Sequence, residues 1–303
     1  MSIVCEGISH LLLDIEGTTC PVSFVAETLF PYASEHLAEY LQLHREDAVV
    51  RDLVAEVIRH WQADEDPEAV ALLRRAISEG SLPMGLSDAN ALSEASGAPG
   101  SPLGEAQEAQ QDHNLDGPNE VLPSSVEPTD DIAGDTAMAA VVPYLRWLIR
   151  KDRKLTPLKE LQGAIWEEGY ARGLLRGPLF DDVPPALRRW NEQGLVLAVY
   201  SSGSVRAQQL LYGHSEAGDL RGLFRHWFDT RTGLKQEAAS YRRISEAMGV
   251  RTERVLFISD VLAELDAAAQ AGMQVVCSIR PGNPQMDPGS HASISSVSEL
   301  CIR

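Results

Sequence analysis

Two acidic residues, Asp14 and Glu16, are separated by one residue and follow a short apolar run near the start of the chain. The run at 8–14 predicts a buried strand, and side chains two positions apart leave a strand end on the same side. Gly17 permits a tight turn directly after them. One carboxylate could attack a substrate or bind a metal ion while the other transfers a proton. A helix cap or a solvated turn is the alternative interpretation of the pair.

Two serines, Ser201 and Ser202, follow a second apolar run at 195–200 and precede a predicted helix at 205–211. Hydroxyl groups and free backbone N–H groups at a helix N-terminus form an anion site, and phosphate is its usual occupant. The alternative is an ordinary serine cap of the helix. The segment lacks the Gly-Lys-Ser/Thr sequence of a Walker A loop.

A lysine and two acids follow at two more predicted boundaries. Lys235 lies at the start of a predicted helix, where the helix dipole opposes a cation, so it either faces an anion or is simply exposed. Asp260 ends a predicted strand at 255–259, and Glu264, one helical turn further, can face the same site. Carboxylates with water around a hard cation are typical of Mg²⁺.

The elements that must position these residues alternate in the second half of the chain. Strands are predicted at 195–200, 227–229, 255–259 and 274–279. Helices are predicted at 184–193, 205–211, 238–248 and 264–271. This order predicts a parallel sheet with crossover helices, which the strand at 8–14 joins. The four groups of polar residues then lie at the carboxyl ends of strands, where open α/β sheets bind ligands.

Helices alone are predicted between the first strand and this alternating region. They lie at 24–43, 51–61, 69–78, 137–149 and 158–170, with Pro143 early in the fourth helix or as a kink, and predict a cap inserted after the first strand. The segment 86–136 among them carries eleven acidic residues, no Lys or Arg, and no aromatic residue. Because such a composition cannot offset the entropy of ordering, we expect a disordered insertion. It is either a tolerated surface loop or an acidic docking segment.

Composition bounds the class of protein. The 303 residues are 44% hydrophobic and 23% charged, as in globular proteins, and no stretch reaches the roughly 18 to 20 apolar residues that span a bilayer. The four cysteines form no CxxC pair, which argues against a zinc site or a disulfide framework and fits a reducing compartment. The net charge of −18 and the lack of a basic stripe oppose nucleic-acid binding.

The four groups together predict a Mg²⁺ and phosphate site with a carboxylate nucleophile. Their order resembles motifs I to IV of the haloacid-dehalogenase superfamily of phosphohydrolases, in the sequence Asp14-x-Glu16, Ser201, Lys235 and Asp260. The usual first motif is Asp-x-Asp, and Glu at its second acid resembles the enolase-phosphatases of methionine salvage. Further stretches similar to that family lie at 161–170, 182–190, 200–220, 233–244 and 258–273. The resemblance covers nearly the whole chain except 86–136.

The resemblance implies an α/β fold with a Rossmann-like parallel-sheet core at 1–20 and 180–303 and a helical cap at 21–179, interrupted by 86–136. It implies a Mg²⁺-dependent phosphoric monoester hydrolase (acireductone synthase). This enzyme enolises 2,3-diketo-5-methylthiopentyl-1-phosphate and then removes the phosphate to give 1,2-dihydroxy-3-keto-5-methylthiopentene. One alternative is a phosphatase of the same fold for another small phosphate ester. The other is an interaction protein that uses the acidic segment.

The resemblance also implies a role for each motif residue. Asp14 would be the nucleophile and form an aspartyl-phosphate, and Glu16 would protonate the leaving oxygen and then activate water. One Mg²⁺ per subunit would be held by the Asp14 carboxylate, the Glu16 backbone carbonyl and Asp260. The phosphoryl oxygens would be held by Ser201, Ser202 and Lys235.

Fewer residues point to the rest of the substrate. The cap would cover the methylthio tail, for which Phe24, Trp166 and Tyr170 are candidates; the alternative is that these rings only fill the core of the cap. The base for enolisation has no assignment. We expect a monomer in the cytoplasm, with the nucleus left open for a eukaryotic protein, and no nucleic-acid or membrane partner.

Overall fold

The computed structural model describes most of the chain, namely residues 2–82, 135–284 and 287–303. The chain divides into two compact units. The first consists of Met1–Tyr40 and Leu148–Arg303, and the second is Leu41–Trp147. In the residues that the structure describes, no helix is both long and apolar enough to cross a membrane.

A parallel sheet forms the centre of the first unit, as the alternation of strands and helices predicts. The described residues contain the strands β1 (Ile3–Cys5), β2 (His10–Leu13), β3 (Val196–Tyr200), β4 (Phe224–Phe228), β5 (Val255–Ser259), β6 (Gln274–Ser278), β7 (Ser293–Ile294) and β8 (Leu300–Ile302). Six of them run in the order β4-β3-β2-β5-β6-β7, and every pair in this sheet is parallel. β1 and β8 pair separately as a two-stranded parallel sheet.

The strand that precedes the first acidic pair lies at the centre of the six-stranded sheet. In β2, Leu11, Leu12 and Leu13 are fully buried, and Leu11 pairs with Leu197 on one side and Leu256 on the other. Parallel strands covered on both faces are continuous apolar runs, which is the pattern that predicted this strand. The residue after Leu13 therefore emerges at the middle of the carboxyl edge.

The eleven α-helices of the described residues largely match the predicted ones. They are α1 (Val22–Phe24), α2 (Phe30–Leu43), α3 (Ala48–Gln62), α4 (Pro67–Ser78), α5 (Asp135–Ala140), α6 (Val142–Arg150), α7 (Thr156–Ala171), α8 (Val183–Glu192), α9 (Val205–Gly213), α10 (Ala238–Ala247) and α11 (Leu262–Gln270). The prediction of one helix at 24–43 is wrong in detail, because a π-helical stretch, Val25–Leu29, separates α1 from α2.

Other boundaries also differ from the predicted ones. The predicted helix at 137–149 is two helices interrupted at Val141, close to Pro143, which has no N–H group to continue the ladder. The predicted acidic segment 86–136 lies outside the described residues except for its last two, which belong to α5. The strand predicted at 227–229 is β4, which begins earlier and ends at Phe228.

The second unit buries a stack of three aromatic rings. The rings of Trp61 and Tyr144 lie 4.9 Å apart between centroids, and those of Tyr144 and Trp147 lie 5.6 Å apart. All three side chains are almost fully buried. Their polar atoms donate at 2.8–2.9 Å to the Ala69 carbonyl oxygen, the Asp64 carboxylate and the Glu68 carboxylate. The rings thus bury apolar area without leaving a polar atom unpaired.

Candidate active site

Asp14 emerges at the carboxyl end of β2 and is only 4% exposed. Its backbone N–H donates to the Ile258 carbonyl oxygen at 3.0 Å, which fixes it beside the end of β5. The chain then turns sharply, with the backbone N–H groups of Thr19 and Cys20 both donating to the Ile15 carbonyl oxygen at 2.9 Å. The turn holds Asp14 at the middle of the sheet edge.

Gly17 allows Asp260 to approach this turn. Its φ is +73°, and a Cβ at this position would stand 1.9 Å from Asp260 Oδ2. Asp260 follows β5, where the sequence predicted it. Burial and the neighbouring Asp14 charge raise the pKa of Asp260 to about 7. The sheet edge thus carries two carboxylates that repel each other, an arrangement that favours a bound cation.

Lys235 is buried between two acids rather than exposed. Its Nζ lies 2.6 Å from Asp14 Oδ1 and 2.6 Å from Glu264 Oε2, and the side chain is 9% exposed. Burial alone would lower the pKa of Lys235, but the two carboxylates outweigh that effect and raise it. The anion that Lys235 faces in this structure is therefore a pair of carboxylates, and the ammonium is directed at the sheet edge.

Glu264, predicted only to share a side with Asp260, is part of the same network. Its Oε2 accepts a hydrogen bond from Ser259 Oγ at 2.9 Å as well as contacting Lys235. Burial and the Asp14 charge raise the pKa of Glu264, against the opposite effects of Lys235 and Ser259. The sequence signal was the spacing of one helical turn after a strand end.

The serine segment after β3 forms a loop, and the helix that follows it begins at Val205, as predicted. The Ser201 N–H donates to the Phe228 carbonyl oxygen at 3.2 Å, and Ser201 Oγ accepts from the Gly203 N–H at 3.2 Å. The helix cap is Ser204, whose Oγ accepts from the Ala207 N–H at 3.3 Å. Ser201 is buried, whereas Ser202 is exposed. Neither serine is the helix cap, so the capping interpretation applies to Ser204.

A pocket in the first unit adjoins this edge. Its polar end is lined by Glu16, Ser201, Ser202 and Gly203. Burial, together with the Asp14 charge, raises the pKa of Glu16. A carboxyl group with a raised pKa retains its proton more readily and is suited to protonate a leaving group.

The rest of the pocket is apolar with a charged rim. The apolar wall includes Val25, Leu29, Phe30, Leu148, Leu158 and Trp166. The rim carries Asp152, Arg153, Lys154 and Lys159. Of the three aromatic candidates for the substrate tail, Trp166 lines this pocket, whereas Phe24 and Tyr170 do not. The Trp166 indole N–H donates to the Leu29 carbonyl oxygen at 2.8 Å, which holds the ring in place.

Two buried contacts near the site had no sequence signal. Gln208 Nε2 donates to the carbonyl oxygens of Gly203 and Phe228 at 2.9 and 2.8 Å, and so ties the serine loop to β4. Thr19 Oγ1 lies 2.8 Å from Tyr212 Oη, which links the turn after Asp14 to α9. Both contacts join residues that only the tertiary fold brings together.

The donor atoms at the edge suit a hard cation. Asp14 and Asp260 offer carboxylate oxygens beside the turn at Gly17, and oxygen donors are the ligands that Mg²⁺ prefers. A divalent cation would relieve the repulsion that raises the pKa of Asp260. Within residues 2–82, 135–284 and 287–303, no group of three or more His, Cys, Asp or Glu side chains is arranged to hold a metal ion. Backbone carbonyl and water oxygens would have to complete the set.

Comparisons with known proteins agree with this geometry. The family model of haloacid dehalogenase-like hydrolases matches residues 8–272. Enolase-phosphatase E1 of Synechococcus elongatus (strain ATCC 33912 / PCC 7942 / FACHB-805) is 44% identical over 97% of this chain and 98% of its own. Enolase-phosphatase E1 of Prochlorococcus marinus (strain MIT 9313) is 41% identical over 96% of both chains.

A solved structure extends the likeness to three dimensions. The UTR4 protein of Saccharomyces cerevisiae is 27% identical, with a TM-score of 0.62 over 97% of this chain and 100% of its own. The match to the family model spans the strands β2 to β5, the residues at their carboxyl ends and the whole of α11. The chain therefore belongs to the haloacid dehalogenase-like hydrolases and, within them, to the enolase-phosphatase E1 family.

Proposed function

We propose that this protein is an enolase-phosphatase of methionine salvage. It enolises 2,3-diketo-5-methylthiopentyl-1-phosphate and then removes the phosphate to give the acireductone. The observation that carries the proposal is the buried contact of Lys235 with Asp14, beside Asp260, in a chain of the enolase-phosphatase E1 family. A carboxylate, a cation and a second acid at one sheet edge provide the groups that phosphoryl transfer requires.

Asp14 is the nucleophile in this proposal. Its carboxylate oxygen attacks phosphorus, the bond from phosphorus to the substrate oxygen breaks, and an aspartyl-phosphate forms. Lys235 Nζ, 2.6 Å from Asp14 Oδ1, offsets negative charge where the carboxylate and the phosphoryl group approach each other. The position of Asp14 is fixed by its backbone hydrogen bond to Ile258. The attacking oxygen is therefore held in place before the substrate binds.

Glu16 is the acid and base. It lines the polar end of the pocket, and burial and the Asp14 charge raise its pKa, so that the carboxyl group holds a proton firmly until phosphoryl transfer requires it. Its proton passes to the departing enol oxygen. The resulting carboxylate then takes a proton from water, which attacks the aspartyl-phosphate and releases inorganic phosphate.

One Mg²⁺ fits the oxygen donors of this edge. Asp14, Asp260 and the Glu16 backbone carbonyl would hold it, and when bound it would shield the attacking carboxylate from the charge of the phosphate. Ser201 and Ser202 are proposed to bind the phosphoryl oxygens. The Ser201 hydroxyl accepts a hydrogen bond from Gly203 N–H and thereby keeps its own proton available for donation.

Three broader properties belong to the proposal. The helices of 21–179 would form the cap, and the described part of that range contains no β-strand of two or more residues. A reducing, cytoplasmic location is supported by the four cysteines, all of which are free thiols. We propose that the enzyme acts as a monomer.

The decisive experiment is an assay on the diketo phosphate with Mg²⁺. Absorbance follows the enol and the acireductone, and released phosphate is measured in parallel. We expect enol formation followed by phosphate release, with turnover lost on addition of a chelator and in Asp14→Asn, which keeps the side-chain volume but removes the nucleophile. The matched control is Asp266→Asn on α11, where the exposed acid pairs with His291 instead.

The same assay separates the alternatives. Phosphate release from simple esters without any reaction of the diketo phosphate would indicate a phosphatase of the same fold for another ester. Undiminished turnover in Asp14→Asn would contradict the covalent mechanism. Absence of turnover on every phosphate ester tested would leave the interaction-protein hypothesis.

A further inference from the structure

The rim of the pocket carries a lysine held by its own neighbours. Lys154 Nζ lies 2.5 Å from Asp152 Oδ1 and 5.7 Å from the centroid of the Phe30 ring. Asp152 has a φ of +49°, a left-handed conformation that is rare for a residue other than glycine and indicates a constrained turn. The turn lies between α6 and α7 and presents its cation beside an aromatic ring.

Lys154 and Phe30 line the same pocket as Glu16 and Ser201. The ammonium charge of Lys154 also acts on the Glu16 carboxyl, lowering its pKa against the larger effect of burial. The pocket and the adjoining sheet edge therefore carry several cations, with Arg153, Lys154 and Lys159 at the rim and Lys235 at the edge. Lys235 is buried at the sheet edge, whereas Lys154 stands at the rim on the apolar side of the pocket.

The proposed substrate has two places where negative charge must be stabilised. One is the phosphoryl group, for which the serine loop and Lys235 are proposed. The other is the carbonyl oxygen that becomes negative when a proton leaves the adjacent carbon. Donors already in place at a developing oxyanion are among the largest contributions to catalysis, and an ammonium group is such a donor.

We propose that Lys154 is a catalytic residue of the enolisation, donating a hydrogen bond to the carbonyl oxygen that becomes the enolate oxygen. The inference rests on the proposed function. In the step, the C–H bond breaks and its proton passes to the Glu16 carboxylate. The electron pair of that bond forms the C=C bond, and the carbonyl π electrons move to the oxygen that faces Lys154.

This assignment connects the two reactions. Glu16 leaves the enolisation carrying a proton, and a protonated Glu16 is what the following phosphoryl transfer requires. Asp152, the other carboxylate of the pocket, is paired with Lys154, and both side chains are more than half exposed. The enolate oxygen is protonated from solvent after the step.

The test compares three variants in the intact protein. Lys154→Met keeps the length of the side chain without its charge, Lys154→Arg restores a cation, and Lys151→Met removes a charge three positions away that does not line the pocket. Each is assayed for enol formation from the diketo phosphate, for solvent deuterium incorporation, and for phosphate release from para-nitrophenyl phosphate. Thermal unfolding checks that all variants fold.

We expect the kcat for enolisation to fall about 100-fold in Lys154→Met. Phosphate release from para-nitrophenyl phosphate should stay within twofold, Lys154→Arg should recover part of the loss, and Lys151→Met should match the wild type. Enolisation within threefold of wild type, a change in KM alone, or an equal fall of both activities would overturn the assignment. Failure of the wild type to enolise the diketo phosphate would instead contradict the proposed function itself.

Discussion

The carboxyl edge of the sheet and the aromatic stack of the second unit bury side chains of opposite kinds. At the edge, Lys235 is shared by two carboxylates, and Asp260 has a raised pKa. In the stack, Trp61, Tyr144 and Trp147 bury large rings, and each polar atom has a partner. The stack gains free energy from the burial of apolar area. At the edge, by contrast, buried carboxylates repel each other, and a bound cation can relieve that repulsion.

The comparison predicts that removal of the buried Lys235 cation at the sheet edge has the largest effect on stability and turnover. Lys235→Met leaves Asp14 and Glu264 without their shared partner, so we expect a loss of about 3–5 kcal/mol in the free energy of unfolding and loss of turnover. Denaturant unfolding and the phosphate-release assay measure the two. The double variant Lys235→Met with Glu264→Gln should recover part of the stability but no activity. Additive losses in the double variant would show that the pair is not coupled.

The next effect is a pH dependence caused by Asp260. An acid with a pKa of about 7 in the folded protein and near 3.8 when unfolded binds a proton that the unfolded chain releases. The free energy of unfolding of the metal-free protein should therefore fall as pH rises from 4 to 7, by up to about 4 kcal/mol. Asp260→Asn should make this slope shallower, and Glu16 and Glu264, whose pKa values are also raised, should account for the remainder. An unchanged slope in the variant would assign the dependence to other groups.

The aromatic stack should respond in stability alone. Trp61→Phe removes the hydrogen bond to the Ala69 carbonyl oxygen and part of the ring overlap, with an expected loss of about 2 kcal/mol. Phosphate release from a simple ester by the folded variant should stay within twofold of wild type, because no member of the stack lines the pocket. A tenfold fall in kcat without loss of stability would break the distinction between the two regions.

The smallest stability effect is expected at Gly17. In Gly17→Ala the new methyl group meets the movable carboxylate of Asp260, and the φ of +73° disfavours alanine, so the expected cost is about 1 kcal/mol. Displacement of Asp260 should weaken Mg²⁺ binding by about tenfold, as measured by calorimetry. Gly80→Ala, with a similar φ and open space, provides the control for strain alone. Equal Mg²⁺ affinity in both variants would contradict the proposed role of Asp260.

The residues at strand ends were within reach of sequence reasoning, whereas the contacts between them were not. Apolar runs marked β2, β3 and β5, and the polar residues that follow them had to meet at one edge of a parallel sheet. Lys235 was expected to face an anion, but its contact with Glu264 depends on the packing of α11. Gln208 also had no signal, because its partners are backbone carbonyls.

The short strands and the π-helical stretch could not be predicted from the sequence for a different reason. β1, β7 and β8 have two or three residues each, too few for an alternation of polar and apolar positions to appear. The π-helical stretch Val25–Leu29 has the same apolar spacing as an α-helix and cannot be distinguished by composition.

The strand order has a consequence for how the protein is made. β2 pairs with β3 and β5, so the strand carrying the proposed nucleophile must wait for about 250 more residues before both neighbours exist. At roughly 5–20 residues per second, the ribosome needs about 12–50 s to supply them. Through that interval the three leucines of β2 lack their final cover, and the proposed nucleophile at their end cannot reach its place. Catalytic competence is therefore acquired late in synthesis, although its first residue is made almost at once.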